Sequence, residues 1–365
     1  MNKIPNRSVT ENPGTTGPLL EVRGLTKYFP MGSILRTRQV HAVENASFTV
    51  KHGQVVALVG ESGSGKSTTI RLIARLLPAT KGEILFNGSD ILKSEPGKAS
   101  LAYRRKVQMI FQDPFCSLNA VHPIEHHLAR PLLIHKMVKN RAELRERIYE
   151  LLTDVGLNPA AEVAGRYPHQ LSGGQRQRVA IARALAVDPE LILADEPISM
   201  LDVSIRMGIL NLIAQLKETR GIAYMYITHD LASARYIGDE IMVMYAGNLV
   251  EGGGGEAIMN DPSHPYTQLL LSAVPDPQSG LRTRKEVTAR GEVPSLIDPP
   301  PGCPFAPRCP KVMEVCRHSM PARTTIQDDH WVACYLYGAS LEKKSPRLEG
   351  MIESEEDAIR PARGG

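Results

Sequence analysis

Residues Gln54–Thr68 read QVVALVGESGSGKST, and this stretch decides the fold. The apolar residues up to Val59 have strand length, and a helix to about Leu77 is predicted after the glycines. Gly60–Thr68 matches the phosphate-binding pattern GxxxxGK[ST] in the strand–helix context that the pattern requires. The stretch therefore predicts a buried strand, a loop that binds a nucleoside triphosphate, and a helix.

The residue types of this loop suit phosphate chemistry, although a plain glycine-rich turn is the alternative. Glycines let backbone N–H groups surround phosphate oxygens at the positive start of a helix. Lys66 is expected to contact the β- and γ-phosphates, and Ser67 is expected to bind Mg²⁺ through its hydroxyl. The predicted nucleotide-binding residues of the loop are Gly60, Ser62, Gly63, Ser64, Gly65, Lys66, Ser67 and Thr68.

A second helix start suited to anions occurs at Leu171–Gln175, LSGGQ. Ser172 is a natural N-cap, and Gly173 and Gly174 expose N–H groups at the helix start beside Gln175. One chain would then carry two phosphate-binding surfaces. Two such chains placed head to tail could close two composite nucleotide sites.

Polar side chains follow several predicted strands. Asp195 and Glu196 end the apolar run Leu191–Ala194, where Asp195 suits contact with Mg²⁺ and Glu196 suits polarising a water. His229 ends another apolar strand, Ala223–Thr228, and can hold the γ-phosphate and water. Gln112 ends the strand Val107–Phe111 and can sense Mg²⁺ or the attacking water. Each alone reads as an ordinary strand-end residue. Asp202 comes shortly after Glu196 in the sequence and could lie where two chains meet.

Composition bounds the class of protein. The 365 residues suggest one large and one small domain, and 42% hydrophobic with 22% charged residues is ordinary for a globular protein. A net charge of +4 gives no reason to propose a nucleic-acid partner. No apolar run reaches spanning length, and Met1–Pro18 lacks the apolar stretch of a secretory signal. We therefore expect a cytosolic protein that partners hold at any membrane.

Alternating strand and helix patterns predict an α/β fold with a largely parallel sheet. Gly252–Gly255 is expected to break the chain. The predicted elements are antiparallel strands in 20–51, strands at 54–59, 82–91, 190–194, 222–227 and 240–245, a helical insert at 115–170, and a helix at 172–187.

The ordered set of motifs resembles the nucleotide-binding domain of the ABC family over residues 20–255. The resemblance implies a mixed sheet core, an antiparallel β subdomain and a helical insert. It implies Phe29, or its neighbour Tyr28, as the aromatic that stacks on adenine. It also implies that Ser172 and Gly174 contact the γ-phosphate held by the opposite subunit, that Glu196 is the general base, and that His229 is the switch residue.

One segment departs from the family pattern. The family usually has Pro-Thr-Ser-Ala-Leu-Asp after the catalytic Glu. Here Pro197–Asp202 reads PISMLD, with bulky apolar residues at the expected dimer seam. We hypothesise that the partner is a related but different ATP-binding subunit.

The C-terminal segment resembles the extension of oligopeptide/dipeptide-type importer subunits, through His264–Leu270, Ala273–Pro275, Gly291–Ser295 and Pro299–Pro301. The resemblance implies import, two transmembrane permease subunits, an extracytoplasmic substrate-binding protein and a place at the cytoplasmic face of the membrane. Peptides are the expected cargo. Nickel and oligosaccharides stay open, and a non-transport ABC ATPase is disfavoured because long coiled coils, tandem domains and a basic surface are missing from the sequence.

Four cysteines crowd into this segment. In a cytosolic chain such clustering favours a zinc or iron–sulfur site over disulfides, and the spacings are not the paired C-x2-C of zinc ribbons. The family resemblance implies a [4Fe–4S] cluster, while packed or disulfide-bonded cysteines are the alternative; Cys116, apart, is expected to be a packed residue. The expected cluster ligands are Cys303, Cys309, Cys316 and Cys334.

These observations predict four parts of the chain. They are a flexible N-terminus (1–19), a nucleotide-binding domain (20–261), a cysteine-containing C-terminal extension (262–338) and a flexible tail (339–365). Intact Lys66, Glu196 and His229 argue against a sensor protein with a degenerate ATPase site.

Overall fold

The computed structural model describes residues 17–33, 36–113, 117–272, 294–327 and 329–338. Most of the predicted flexible N-terminus, the predicted tail and Cys116 lie outside the described residues, as does the stretch 273–293 of the C-terminal extension. Among the described residues, no helix is long and apolar enough to cross a bilayer.

Within the described residues, the strands form two sheets, an antiparallel sheet of four strands and a mixed sheet of eight. The strands are β1 (Leu20–Ser33), β2 (Arg36–Val50), β3 (Val55–Val59), β4 (Lys81–Phe86), β5 (Ser89–Asp90), β6 (Val107–Ile110), β7 (Leu191–Asp195), β8 (Ala223–Thr228), β9 (Glu240–Tyr245), β10 (Asn248–Gly254), β11 (Thr324–Gln327) and β12 (His330–Val332). The antiparallel sheet has the order β2-β1-β4-β5 and is the antiparallel subdomain that the sequence predicts. The mixed sheet has the order β11-β12-β10-β9-β3-β8-β7-β6.

The centre of the mixed sheet is parallel, from β9 through β3, β8 and β7 to β6. Every residue of β3, β7 and β8 is buried. This continuous apolar pattern is typical of parallel strands covered by helices on both faces. The predicted α/β class is confirmed, and the carboxyl ends of these strands meet at one edge, where ligands gather in such sheets.

Helices cover the sheet and form the insert. The described part of the predicted insert contains three α-helices, and the second, Arg141–Asp154, buries one apolar face through Ile148, Leu151 and Leu152. The helices are α1 (Lys66–Ile73), α2 (Ile91–Ser94), α3 (Leu101–Lys106), α4 (Ile124–Ile134), α5 (Arg141–Asp154), α6 (Ala160–Gly165), α7 (Gly173–Leu185), α8 (Val203–Arg220), α9 (Leu231–Ile237), α10 (Gly255–Asn260), α11 (Pro265–Ser272) and α12 (Glu314–His318).

The glycine run does not break the chain as the sequence suggested. Gly252 lies inside β10, which pairs with β9 on one side and with β12 on the other, where Gly252 is opposite Trp331. A Cβ atom on Gly252 would lie 2.6 Å from the indole of Trp331. The glycines therefore allow close approach of β12, and the C-terminal segment extends the core sheet.

Replacing Gly252 by alanine should destabilise the protein. The added methyl group has no room beside Trp331, and overpacking of this kind costs about 1–3 kcal/mol. Urea unfolding should show this loss as a lower midpoint. Gly165→Ala is the matched control, because a Cβ there meets nothing within 4 Å. Equal midpoints for the two variants would show that β12 does not need the glycine.

Candidate functional site

The phosphate-binding loop lies between β3 and α1 and depends on glycine at two positions. Gly60 and Gly65 have φ of 157° and 105°, and Gly65 is the N-cap of α1. A Cβ at Gly60 would lie 2.1 Å from the carbonyl oxygen of Met244, and one at Gly65 would lie 2.3 Å from that of Ala42. Any side chain at either place would displace neighbouring backbone. Close backbone packing therefore fixes this loop, Gly60–Thr68, at the start of α1, where helix N–H groups favour an anion, and we call the loop the cradle.

Lys66 lies inside this cradle and is 4% exposed. Its ammonium donates to the carbonyl oxygens of Gly60 and Glu61, both at 2.8 Å. Burial lowers the pKa of Lys66, while the nearby carboxylates of Glu196, Asp195 and Glu61 oppose that shift. The loop thus holds a positive charge close to three carboxylates.

Ser67 and Asp195 lie side by side, although they come from different elements. The Ser67 hydroxyl donates to Asp195 Oδ1 at 2.7 Å. Asp195 is 2% exposed, and burial raises the pKa of its carboxyl group, opposed by the Ser67 hydrogen bond and by Arg71. A hydroxyl and a carboxylate are the oxygen donors that Mg²⁺ prefers, so the pair fits the predicted metal.

Glu196 is the meeting point of the other predicted residues. Its Oε2 accepts from Gln112 Nε2 at 3.2 Å and lies 3.2 Å from His229 Nδ1. Because a carboxylate only accepts, the His229 tautomer with its proton on Nδ1 satisfies this contact. Glu196 has a φ of +43°, a strained conformation that places it just beyond the end of β7. Three strand ends thus converge on one carboxylate.

The second helix start forms a separate group. Ser172 caps α7, accepting from Gln175 N–H at 3.3 Å, while Gln175 Oε1 accepts from Ser172 N–H at 3.0 Å. A Cβ on Gly174 would lie 2.6 Å from the Ile205 side chain of α8, and Asp202 is the exposed N-cap of that helix. No hydrogen bond within the described ranges joins Ser172–Gln175 or Asp202 to the cradle residues of the same chain.

Of the two candidate aromatics on β1, Tyr28 is already engaged. Its hydroxyl donates to Glu44 at 2.8 Å, and its ring stacks on His41 with 4.0 Å between centroids. The Phe29 ring is half-buried and has the Lys27 ammonium 4.9 Å from its centroid. We keep Phe29 as the candidate for stacking on a base, because both the ring and the hydroxyl of Tyr28 are already engaged.

Two segments of the chain match known protein families. Residues 43–199 match the ABC transporter family model, and residues 250–316 match that of the oligopeptide/dipeptide transporter C-terminal region. An oligopeptide transport ATP-binding protein, AppF of Bacillus subtilis, is 45% identical over 87% of this chain and 97% of its own length. The chain belongs to the ATP-binding subunits of oligopeptide/dipeptide-type ABC transporters.

Two further proteins support this assignment. The dipeptide transport ATP-binding protein DppF of Haemophilus influenzae is 44% identical over 87% of this chain and 96% of its own. The dimeric post-hydrolysis structure of the ATP-binding cassette MJ0796, bound to ADP and Pi, is 32% identical with a TM-score of 0.55, covering 64% of this chain and 98% of that one. This ABC subunit is accordingly an ATPase whose hydrolysis is coupled to transport.

The segment that departs from the family pattern is only partly at the surface of this ABC subunit. Ile198 is 4% exposed and belongs to the core, whereas Met200 is 55% exposed. The expectation that both bulky residues face a partner is therefore wrong for Ile198, whose side chain fills the interior. Met200 is followed on α8 by Val203 and Met207, which are also exposed.

The predicted iron–sulfur cluster is contradicted. Within the described residues, no group of three or more His, Cys, Asp or Glu side chains could hold a metal ion, and the similar proteins are named for ATP binding and peptide transport alone. The four cysteines are free thiols that line a cavity of about 20 Å³, room for about one water molecule. Burial raises the pKa of Cys303 to about 12 and also raises those of Cys309 and Cys334.

Sequence reasoning missed one residue of the cradle, Glu61, and two residues that contact it. Glu61 occupies an unspecified position of the GxxxxGK[ST] pattern, yet its carboxylate accepts from Arg308 at 3.0 and 3.2 Å and its N–H donates to the Tyr266 hydroxyl at 2.9 Å. Both partners lie more than 200 positions away in the C-terminal segment. No local pattern could have found them.

Proposed function

We propose that this chain hydrolyses ATP to power the uptake of peptides through an ABC importer. Its partners in this proposal are a second ATP-binding subunit, two permease subunits and an extracytoplasmic substrate-binding protein. They hold it at the cytoplasmic face of the membrane. The observation that carries the proposal is the convergence of Gln112 and His229 on Glu196, next to the Lys66 cradle, in a chain whose C-terminal segment matches the peptide-transporter region.

ATP binding in this proposal uses the cradle and Phe29. The Lys66 ammonium exchanges its carbonyl partners for β- and γ-phosphate oxygens, and the loop N–H groups bind the remaining oxygens. Phe29 stacks on adenine. Ser67 and Asp195 would hold Mg²⁺, with Gln112 beside them as a further oxygen ligand, and the ion would neutralise charge on the phosphates.

Hydrolysis converts ATP and water into ADP and phosphate. Glu196 accepts the proton of the water that attacks the γ-phosphate, because its carboxylate lies at the strand end beside the cradle. Gln112 and His229 hold that carboxylate in place through their contacts with Oε2. His229 is also placed to hydrogen-bond the γ-phosphate. Its contacts therefore depend on whether the γ-phosphate is still attached to the nucleotide.

The second subunit completes each site. Ser172–Gln175 presents a capped helix start that is not joined to the cradle of its own chain, and it suits the γ-phosphate of the opposite subunit. The MJ0796 cassette was solved as a dimer. Exposed Met200, Val203 and Met207 favour a partner that offers apolar surface at this seam, and we propose that the partner is a related, different chain.

A reconstituted complex with its native membrane and binding-protein partners tests the proposal. We expect peptides to stimulate ATPase activity several-fold and oligosaccharides or Ni²⁺ to leave it at the basal rate. Stimulation by sugars or nickel alone would keep the motor and refute the peptide assignment. Equal ATPase activity of this chain as a homodimer and with the second subunit would refute the heterodimer.

A further inference from the structure

The C-terminal segment reaches into the nucleotide site at Glu61, the residue after the first glycine of the cradle. All the polar groups of Glu61 are engaged. Its N–H donates to Tyr266, its carbonyl oxygen accepts from Lys66 at 2.8 Å, and its carboxylate accepts from Arg308. Two of these three ties come from the C-terminal segment.

Arg308 is held firmly for this contact. Its side chain is 10% exposed and that of Glu61 is 27% exposed, so the ion pair is shielded from solvent more than an ordinary surface pair. The guanidinium carbon lies 5.7 Å from the ring centroid of Tyr245 and 5.9 Å from that of Phe305. The Tyr245 hydroxyl also accepts from Arg308 at 3.2 Å. These rings and Tyr266 pack on one another with centroids 4.4–5.5 Å apart.

The electrostatic setting gives this pair a consequence for nucleotide binding. A triphosphate brings several negative charges to the cradle, where Asp195 and Glu196 already lie close to Lys66. An unpaired Glu61 carboxylate would add a further repulsive charge beside the phosphates. Arg308 cancels that charge and fixes the conformation of the loop before ATP arrives, which lowers the ordering cost of binding.

We propose that Arg308 is a positioning residue for the phosphate-binding loop, through which the C-terminal segment sets the affinity of the site for ATP. The proposal rests on the ATPase function above. It differs from a packing role for Arg308, because the effect passes through the charge of Glu61.

The test is the dependence of ATPase rate on ATP concentration in the full complex. Arg308→Met keeps the apolar stem against Tyr245 and Phe305 but removes the charge. We expect it to raise KM for ATP about five- to tenfold, as expected for stranding a partly buried charge next to an anionic ligand, with kcat within twofold. The double variant Arg308→Met with Glu61→Gln should return KM to within about twofold of the parent, because the stranded carboxylate is gone.

Arg323→Met is the matched control. Arg323 is another C-terminal arginine, with its guanidinium 4.1 Å from the ring centroid of Trp331 and a hydrogen bond to the Ser47 carbonyl, and it does not touch the cradle. Its loss should leave KM for ATP unchanged. If Arg308→Met does not fold, Arg308→Gln replaces it with the same expectations.

Two results would overturn the inference. One is an unchanged KM in the Arg308 variant, and the other is a double variant as weak as the single one, which would assign Arg308 to packing. Absence of ATPase activity in the parent complex would instead refute the proposed function, so the two failures are distinguishable.

Discussion

Glu196→Gln is expected to abolish ATP hydrolysis while ATP binding persists. The amide has the shape of the carboxylate and retains an oxygen that can accept from Gln112, but it cannot take a proton from water. Loss of a general base lowers the rate by about 10²–10⁴-fold. A phosphate-release assay should show this loss, and size-exclusion chromatography with Mg·ATP should show a dimer that persists, because the bound ATP is no longer consumed.

Glu190→Gln is the control for this prediction. Glu190 immediately precedes β7, the strand that ends beside Glu196, and it pairs with Lys106 at the surface. Its replacement removes a carboxylate near the opposite end of the same strand and should leave turnover unchanged. Turnover of Glu196→Gln at the normal rate would remove Glu196 from the role of general base.

The residues proposed for the central site could be picked out from the sequence because the motifs that carry them are local. Gly60–Thr68 is continuous, and Asp195 and Glu196 follow an apolar run whose burial on both faces is readable from composition. In a parallel sheet the carboxyl ends of strands share one edge. His229 and Gln112 both follow strands of this sheet, and both lie 3.2 Å from the Glu196 carboxylate.

What sequence could not supply is pairing between distant segments. Arg308 and Glu61 are 247 positions apart, and neither residue type marks its partner. The glycine run had two physical meanings, a turn or a close approach of backbone, and only Trp331 opposite Gly252 decides between them. Likewise, the sequence alone places Ile198 at the expected dimer interface, whereas its burial shows that it faces the core.

The cysteines illustrate a different limit. Their crowding in sequence indicates proximity, and the structure does bring all four to one cavity. Proximity does not define a metal site, which also needs space and deprotonated thiols. The cavity between the four cysteines has room for about one water molecule, and no group of metal-binding side chains is found among the described residues.

Lys66→Ala should remove most ATP binding without unfolding the protein. Alanine is a good helix former at the start of α1, whereas ATP loses an ammonium whose hydrogen bonds are worth about 1.5–3 kcal/mol each. A 100-fold weaker affinity is therefore expected. At an ATP concentration 100 times the parent Kd, the ligand-induced gain in stability should fall from about 2.7 to about 0.4 kcal/mol. Thermal unfolding with and without Mg·ATP measures this gain.

A lysine outside the cradle provides the control for this prediction. Lys217→Ala removes an ammonium that bonds Asp239 at 2.6 and 2.7 Å. It should lower the stability of the free protein slightly, since such pairs contribute about 0–1 kcal/mol, and should keep the full ATP-induced gain. A full gain in Lys66→Ala would mean that the triphosphate binds elsewhere. A lost gain in both variants would mean that general loss of positive charge, rather than the ammonium inside the loop, weakens ATP binding.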